Sequence, residues 1–163
     1  MYPTDLTVAA IVRRNDQYLM VEEQAMGRVV ITQPGGHIES AESPEQAVVR
    51  EVLEETGCTV TCGDIVGVYL WIHPQTRQQF LRIVFEAEFQ SMDTDARLDD
   101  GIIRALWMSR SDIEARRDKL RTPVAQRCLV DYERGKRHTD GAFNGMLPLQ
   151  HNVDAVLARA DLV

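Results

Sequence analysis

From Gln33 to Gly57 the residue order imposes a loop and then a helix. Gln33-Pro34-Gly35-Gly36 places paired glycines after a proline, which breaks both regular structures. Ser43–Thr56 follows with the marks of a bounded helix: Ser43 as N-cap, Pro44 at the first helical position, Gln46 completing a capping box, and Gly57 as the stop. At about 100° per residue, Val48, Val49, Val52 and Leu53 share one half of the cylinder, which predicts a packing face. Glu51, Glu54 and Glu55 share the other half, with small Ala47 beside them. That second face opposes the helix's own stability. Like charges three or four residues apart repel by roughly 0.2–0.5 kcal/mol per pair, and acids in the last two turns meet the negative end of the macrodipole.

The ordinary meaning of such a run is a solvated face. Its surroundings point instead to a site. Gly35-Gly36 permits close backbone approach to a ligand, and Glu39 and Glu42 lie just upstream of the cap. Residues 39–55 hold six carboxylates against one cation, Arg50, so most of the chain's formal charge of -7 sits there. A hard divalent cation, Mg²⁺ or Mn²⁺, would supply the missing compensation through carboxylate oxygens. Loop glycines, flanking acids and a helical acid cluster together describe a pocket for a cation and a phosphate.

The remaining composition excludes several classes. A length of 163 residues with 44% hydrophobic residues suits one domain, with a core expected over about 3–135 and a C-terminal extension over 136–163. The acidic balance disfavours a nucleic-acid polymer as partner. No window approaches the roughly 18 apolar residues of a membrane span, and the start lacks a basic region followed by an apolar core. Cys58, Cys62 and Cys128 stand at spacings that suit neither a disulfide framework nor a zinc site, so the chain reads as a cytoplasmic protein with reduced thiols. There is no Gly-x4-Gly-Lys-Ser/Thr loop, and the histidines form no recognisable triad with a nucleophile.

Along the chain, Leu6–Val12 predicts a buried strand, Asn15-Asp16 a turn, Tyr18–Glu22 the second arm of a hairpin, and Arg28–Ile31 a short third strand. Thr59–Leu70 and Gln79–Phe89 are strand-like, joined by a loop at His73–Arg77. In the second, Phe85, Ala87 and Phe89 should face inward. An acidic loop over 93–100 leads to a strand around Ile103–Met108. Ser111–Lys119 and Thr122–Glu133 should be helical, the latter capped by Thr122 and ended by Gly135, and Val153–Arg159 would add a last helix. The fold class is α/β, a mixed sheet with helices packed on it.

At this point the residues resemble a known family. Gly36-x5-Glu42-x7-Arg50-Glu51-Val52-x-Glu54-Glu55-x-Gly57-Cys58 is similar to the Nudix box, G-x5-E-x7-R-E-U-x-E-E-x-G-U with U bulky and apolar. Every fixed letter is present; by average composition such a match arises by chance roughly once in a million chains of this length. Cys58 is a weaker apolar residue than the usual last position. The resemblance implies a Nudix-type α/β/α sandwich in which the box forms a loop–helix–loop. It also implies a Mg²⁺-dependent hydrolase of nucleoside diphosphates linked to another group. Glu51, Glu54 and Glu55, with the Gly35 carbonyl, would be the metal ligands, and Arg50 would orient Glu51. Glu42 would be structural and Glu39 a further ligand through water.

Shorter stretches, including Gln33-Pro34-Gly35-Gly36-His37, Trp71-Ile72-His73-Pro74, Phe80-Leu81-Arg82 and Phe143-Asn144, resemble a bacterial phosphatase branch of that family. The substrates implied are nucleoside tri- and diphosphates and thiamine-type pyrophosphates, including hydroxymethylpyrimidine pyrophosphate. Arg82, His37, Gly36 and Trp71 are the candidate substrate contacts. Ile31 stands where many relatives carry Trp, so any ring for a base would come from Trp71 or Tyr69. The general base is open among Glu54, Glu55 and a carboxylate of the later loop, Asp99 or Asp100. Arg116, Arg117, Lys119 and Arg121 read as the solvated end of a helix. The alternatives are a narrower activity on ADP-ribose, dinucleotides or oxidised nucleotides, and a nucleotide-sensing module without catalysis. Small phosphorylated molecules are the expected partners of a monomer or homodimer.

Overall fold

The computed structural model describes residues 3–25 and 27–138. The helix expected over Val153–Arg159, the Phe143-Asn144 pair, His151 and all but the first residues of the extension lie outside them. Among the described residues there are six strands: β1 (Thr4–Arg14), β2 (Gln17–Ala25), β3 (Arg28–Thr32), β4 (Cys58–Ile72), β5 (Gln79–Met92) and β6 (Ile102–Ser109). They run in the order β3-β2-β1-β5-β4, with β6 paired to β2. Only β1 and β5 are parallel; every other pair is antiparallel.

Asn15 and Asp16 both have positive φ, the left-handed pair that a two-residue hairpin needs, so β2 folds back on β1. The two then part. Pairing between them covers only Arg13–Tyr18 and Arg14–Gln17, and β6 takes over the flank of β2. The freed edge of β1 is satisfied by the glycine loop. Ala10 N–H donates to the Pro34 carbonyl at 3.0 Å, Val8 N–H to Gly36 at 2.9 Å, and Ile38 N–H to Leu6 at 3.1 Å. The loop held on that edge carries Gly35, Gly36 and His37 to the lining of the cleft that holds the candidate site.

Three α-helices among the described residues form the outer layers: α1 (Pro44–Thr56), α2 (Arg110–Ala115) and α3 (Pro123–Glu133). Alternation along β1 explains the sandwich. Val8, Ala10 and Val12 join Ala47, Val48 and Val52 of α1 in one core. Ala9 and Ile11 join Ile113, Ala125, Cys128 and Leu129 on the opposite face. A strand buried on both faces needs an uninterrupted apolar run, which Val8–Val12 provides; Leu6, expected in that buried strand, is exposed, since it lies at the strand's outer end. Phe85 and Ala87 are buried as expected, and Phe89 packs against the same core. No helix among the described residues is long and apolar enough to cross a membrane.

Three expectations need correction. The helix expected over Ser111–Lys119 is broken into α2 and a 3-10 turn at Arg117–Lys119. Ser109 and Asp112 form a capping box that starts the helix earlier, and Leu120 must then reach the core, where Arg121 N–H donates to the Ile31 carbonyl at 2.9 Å. Thr122 occupies the N-cap position of α3, but its hydroxyl makes no cap bond; its carbonyl takes the Ala125 N–H instead. On α1, the buried arc is Ala47, Val48, Glu51, Val52 and Glu55, while Leu53 is 48% exposed. The helix is rolled towards its acids: Glu55 accepts from Gly35 N–H of the glycine loop, and Glu51 packs against Gly36 while accepting from Arg50.

Candidate active site

α1 is set as its sequence requires. The Ser43 hydroxyl accepts from Gln46 N–H, the Gln46 side chain returns the bond to Ser43 N–H, and Gly57, at φ 70°, donates to the Leu53 carbonyl. The acidic loop over 93–100 packs on the open C-terminal end of the helix. Asp99 N–H donates to the Glu54 carbonyl at 3.0 Å and Asp93 N–H to the Gly57 carbonyl at 2.9 Å. These bonds satisfy carbonyls that a helix leaves unpaired, and they bring Asp99 to the cleft wall; Asp100 is exposed and does not line the cleft.

Arg50 organises the carboxylates. Its Nε and Nη2 hold both oxygens of Glu42 at 2.8 Å, Nη1 donates to Glu51 at 2.8 Å and to Glu54 at 2.9 Å, and Nη2 also reaches the His37 carbonyl at 3.0 Å. The Arg50 guanidinium holds Glu42 below the ordinary carboxylate range. Glu55 is oriented separately, accepting from Gly35 N–H at 2.8 Å.

Burial dominates the two inner acids. It pushes Glu51 upward despite the Arg50 bond. Glu55 is pushed up to about 8 by burial, with Glu51 and Glu23 adding repulsion and the Gly35 N–H and Arg82 opposing. Glu54 is more open, with 40% of its side chain exposed. Both glycines are needed for close approach. A Cβ on Gly35 would meet the Val8 carbonyl oxygen at 2.2 Å, and one on Gly36 would stand 2.6 Å from both Glu51 oxygens. Among the described residues, no three acidic, imidazole or thiol groups already converge as a finished metal cage; Glu51 and Glu54 are turned to Arg50 and Glu55 to Gly35.

The cleft beside this helix has a volume of about 690 Å³. Glu39, Glu51, Glu54 and Glu55 line it with Gly35 and Gly36. His37 stands exposed at the rim, its Nε2 3.2 Å from Asp5. Trp71 forms an aromatic wall with Phe80 at 5.6 Å and His73 at 5.3 Å between ring centroids. Arg82 reaches the cleft from β5, and its Nε is buried with no hydrogen-bond partner. Tyr69 is not part of this wall; its hydroxyl donates to Asp131 of α3 at 3.1 Å.

Sequence reasoning missed the α3 side. Arg121, expected in solvent, lines the cleft and pairs with Glu23 at 2.8 Å. Thr122 and Val124 follow it onto the wall. Gln33, 1% exposed, donates to the Ala125 carbonyl at 2.7 Å and so ties the start of α3 to the glycine loop. Nothing local marks these residues, since Arg121 is brought in by the contact of Leu120 with Ile31.

The NUDIX domain family matches residues 3–128 of the chain. The chain belongs to the Nudix family. It is 30% identical to phosphatase NudJ of Shigella boydii over 138 residues, which cover 85% of this chain and 89% of that protein. Phosphatase NudJ of Escherichia coli K12 matches to the same extent. Among solved structures, a NUDIX hydrolase from Nitrosomonas europaea superposes with a TM-score of 0.81 at 40% identity, covering 85% of this chain and 93% of that one. The MutT protein from Methanosarcina mazei Go1 gives 0.67 at 25% identity, over 83% and 98%. This Nudix chain is accordingly a hydrolase of pyrophosphate bonds in small phosphorylated molecules, and the acidic helix, the glycine loop and the cleft belong to one architecture.

Proposed function

We propose that this Nudix hydrolase is a divalent-cation-dependent phosphatase acting on nucleoside tri- and diphosphates, with thiamine-type pyrophosphates such as hydroxymethylpyrimidine pyrophosphate among its substrates. The observation that carries the reading is the pair of buried carboxylates, Glu51 and Glu55, facing the same cleft as the unpartnered Arg82. Acids held in a buried site call for a cation, and a buried guanidinium calls for an anion.

The donor set suits Mg²⁺ or Mn²⁺. Glu51, Glu54 and Glu55 with the Gly35 carbonyl offer only hard oxygens, the type these ions select. When bound there, the metal neutralises phosphate charge and lowers the pKa of a coordinated water. The chain's own groups do the rest. Arg50 positions Glu51 and Glu54, and the Gly35 N–H positions Glu55. Glu39, on the cleft lining, would serve as a further ligand through water. Arg82 takes a phosphate oxygen, His37 and the Gly36 backbone flank the phosphates at the rim, and Trp71 offers a ring face to the base or heterocycle. Water attacks one phosphorus in line, the bridging P–O bond breaks, and a carboxylate takes the proton. Glu54 and Asp99 are the candidates with solvent-open oxygens. A reducing, cytoplasmic setting belongs to the same proposal, supported by three free cysteines.

The test is chromatographic analysis of the products formed in Mg²⁺ from a panel of nucleoside tri- and diphosphates, thiamine pyrophosphate, hydroxymethylpyrimidine pyrophosphate, ADP-ribose and a dinucleotide. Loss of the terminal phosphate from the first four classes is expected. Cleavage confined to ADP-ribose or the dinucleotide would replace the phosphatase reading, and nucleotide binding with no cleavage at all would make the protein a sensor.

A further inference from the structure

Two buried polar side-chain atoms on residues of the cleft wall have no hydrogen-bond partner among the described residues: Arg82 Nε and the Thr122 hydroxyl. A buried polar group without a partner costs about 1–3 kcal/mol, and two on one cavity wall mark a place where a ligand completes the bonding. Arg121, which lines the same cleft, spends one N–H on Glu23. A guanidinium has five N–H donors, so most of its capacity remains. Arg82 alternates along β5 onto the face of Val84, the face on which α3 packs, so both guanidiniums and the hydroxyl gather at the α3 side of the cleft.

Resting on the phosphatase reading above, we propose that Arg82, Arg121 and the Thr122 hydroxyl form a seat for the free terminal phosphate of a pyrophosphate monoester. Charge and atom count choose the terminal group. A terminal phosphate carries a charge near −2 at neutral pH and three acceptor oxygens. A bridging phosphodiester carries −1 and two non-bridging oxygens. Two guanidiniums and a hydroxyl match the former. Repulsion from Arg121 also lowers the affinity of buried Arg82 for its proton, behind the larger effect of burial; an anion between the two cations removes that repulsion. Glu23 acts as a latch, holding Arg121 at the wall when no phosphate is present. The Gln33–Ala125 bond fixes this seat relative to the glycine loop, so the distance between seat and glutamates selects the length of the phosphate chain.

The test is titration calorimetry in EDTA with three probes: ADP, inorganic pyrophosphate and ADP-ribose. ADP and ADP-ribose share base and pyrophosphate and differ in whether the last phosphate is free. The Glu55→Gln background removes one negative charge from the cleft. There, ADP and pyrophosphate should bind at least about tenfold more tightly than ADP-ribose, the scale of one charge-assisted hydrogen bond. Adding Thr122→Val, or the pair Glu23→Gln with Arg121→Gln, which leaves no stranded carboxylate, should weaken ADP and pyrophosphate by about tenfold and leave ADP-ribose within about twofold. Glu23→Gln alone, which unlatches Arg121, should keep or improve ADP binding. Thr122→Val is nearly isosteric and supplies the result should the pair fail to fold. ADP-ribose binding as tightly as ADP, equal losses for all three probes, or no binding of ADP would each overturn the seat. Failure of the catalytic reading looks different: Glu55→Gln would turn over substrate normally in Mg²⁺ whatever the calorimetry shows.

Discussion

Glu55 concentrates the chemistry at the scale of one residue. It is buried, bound by the Gly35 N–H and raised to about 8 from an ordinary 4.5, burial being the main cause. Its folded form therefore binds its proton more tightly than the unfolded chain does. The contribution to stability is fully present below 4.5 and is lost as pH rises through about 8. Thermal midpoints measured in EDTA between those values should fall with pH in the parent protein, and the Glu55→Gln variant should show a shallower decline. In Mg²⁺, Glu55→Gln and Glu54→Gln should each lower turnover by at least about a hundredfold while the circular dichroism spectrum is retained, the scale of removing support for transition-state charge. Parent-like turnover in both variants would rule out a metal site on these residues. The three acids were identifiable from their spacing, because a cluster that repels itself in the wrong half of a helix signals a compensating charge. Which of them is buried was not, because Glu51 and Glu55 are shielded by the loop over 34–38 and Glu54 is not.

The element that matters most is α1 with the turns at its ends. Gly57 closes the helix at φ 70°, and a Cβ there would stand 2.5 Å from the Asp93 carbonyl. Gly57→Ala should thus cost about 1–3 kcal/mol, read as a lower denaturation midpoint, since it combines a left-handed backbone with a steric clash. It should also disturb the acidic loop that brings Asp99 to the cleft, because Asp93 N–H binds the Gly57 carbonyl. Cap, proline, capping box and stop of this helix were all legible, as each is a local interaction within four residues. Its rotation was not. Leu53 has the apolarity of a core residue and is left in solvent, while two glutamates take the buried arc. Apolar periodicity finds the buried face when transfer free energy alone decides it, and here the contacts of the helix with the glycine loop, Glu55 with Gly35 N–H and Arg50 with the His37 carbonyl, also bear on the outcome.

Across the whole molecule, α3 packs on the sheet through an apolar core, and a buried carboxylate adds a polar tie. Asp131, 3% exposed, accepts from Tyr69 of β4 and meets Arg127 and Lys136. Burial pushes its pKa upward, but the bonds from Lys136, Arg127 and Tyr69 outweigh it and leave it below the ordinary 3.8. The folded pKa is depressed, so the stabilisation is present above 3.8 and lost as pH falls through the folded value. Asp131→Asn should lower stability at neutral pH by about 1.5–3 kcal/mol, the value of hydrogen bonds to a charged group. That deficit, followed by urea unfolding, should shrink as pH drops below 3.8. A deficit constant with pH would mean the carboxylate's charge plays no part. Since α3 presents Thr122 to the cleft, loosening it should weaken substrate binding as well.

The order of residues by itself determined the hairpin at Asn15-Asp16, the strand buried on both faces, the capped helix, its acids and the glycine loop, and through these the Nudix family. All of these arise from neighbours a few positions apart or from alternation along one element, and such interactions are written where they act. Tertiary structure alone decided that β1 and β2 separate, that loop 34–38 fills the vacated edge, and that Arg82, Arg121 and Thr122 share a wall with the glutamates. Those residues lie tens of positions apart on different elements. Their meeting is set by how the sheet splits and the helices pack, which no local pattern encodes.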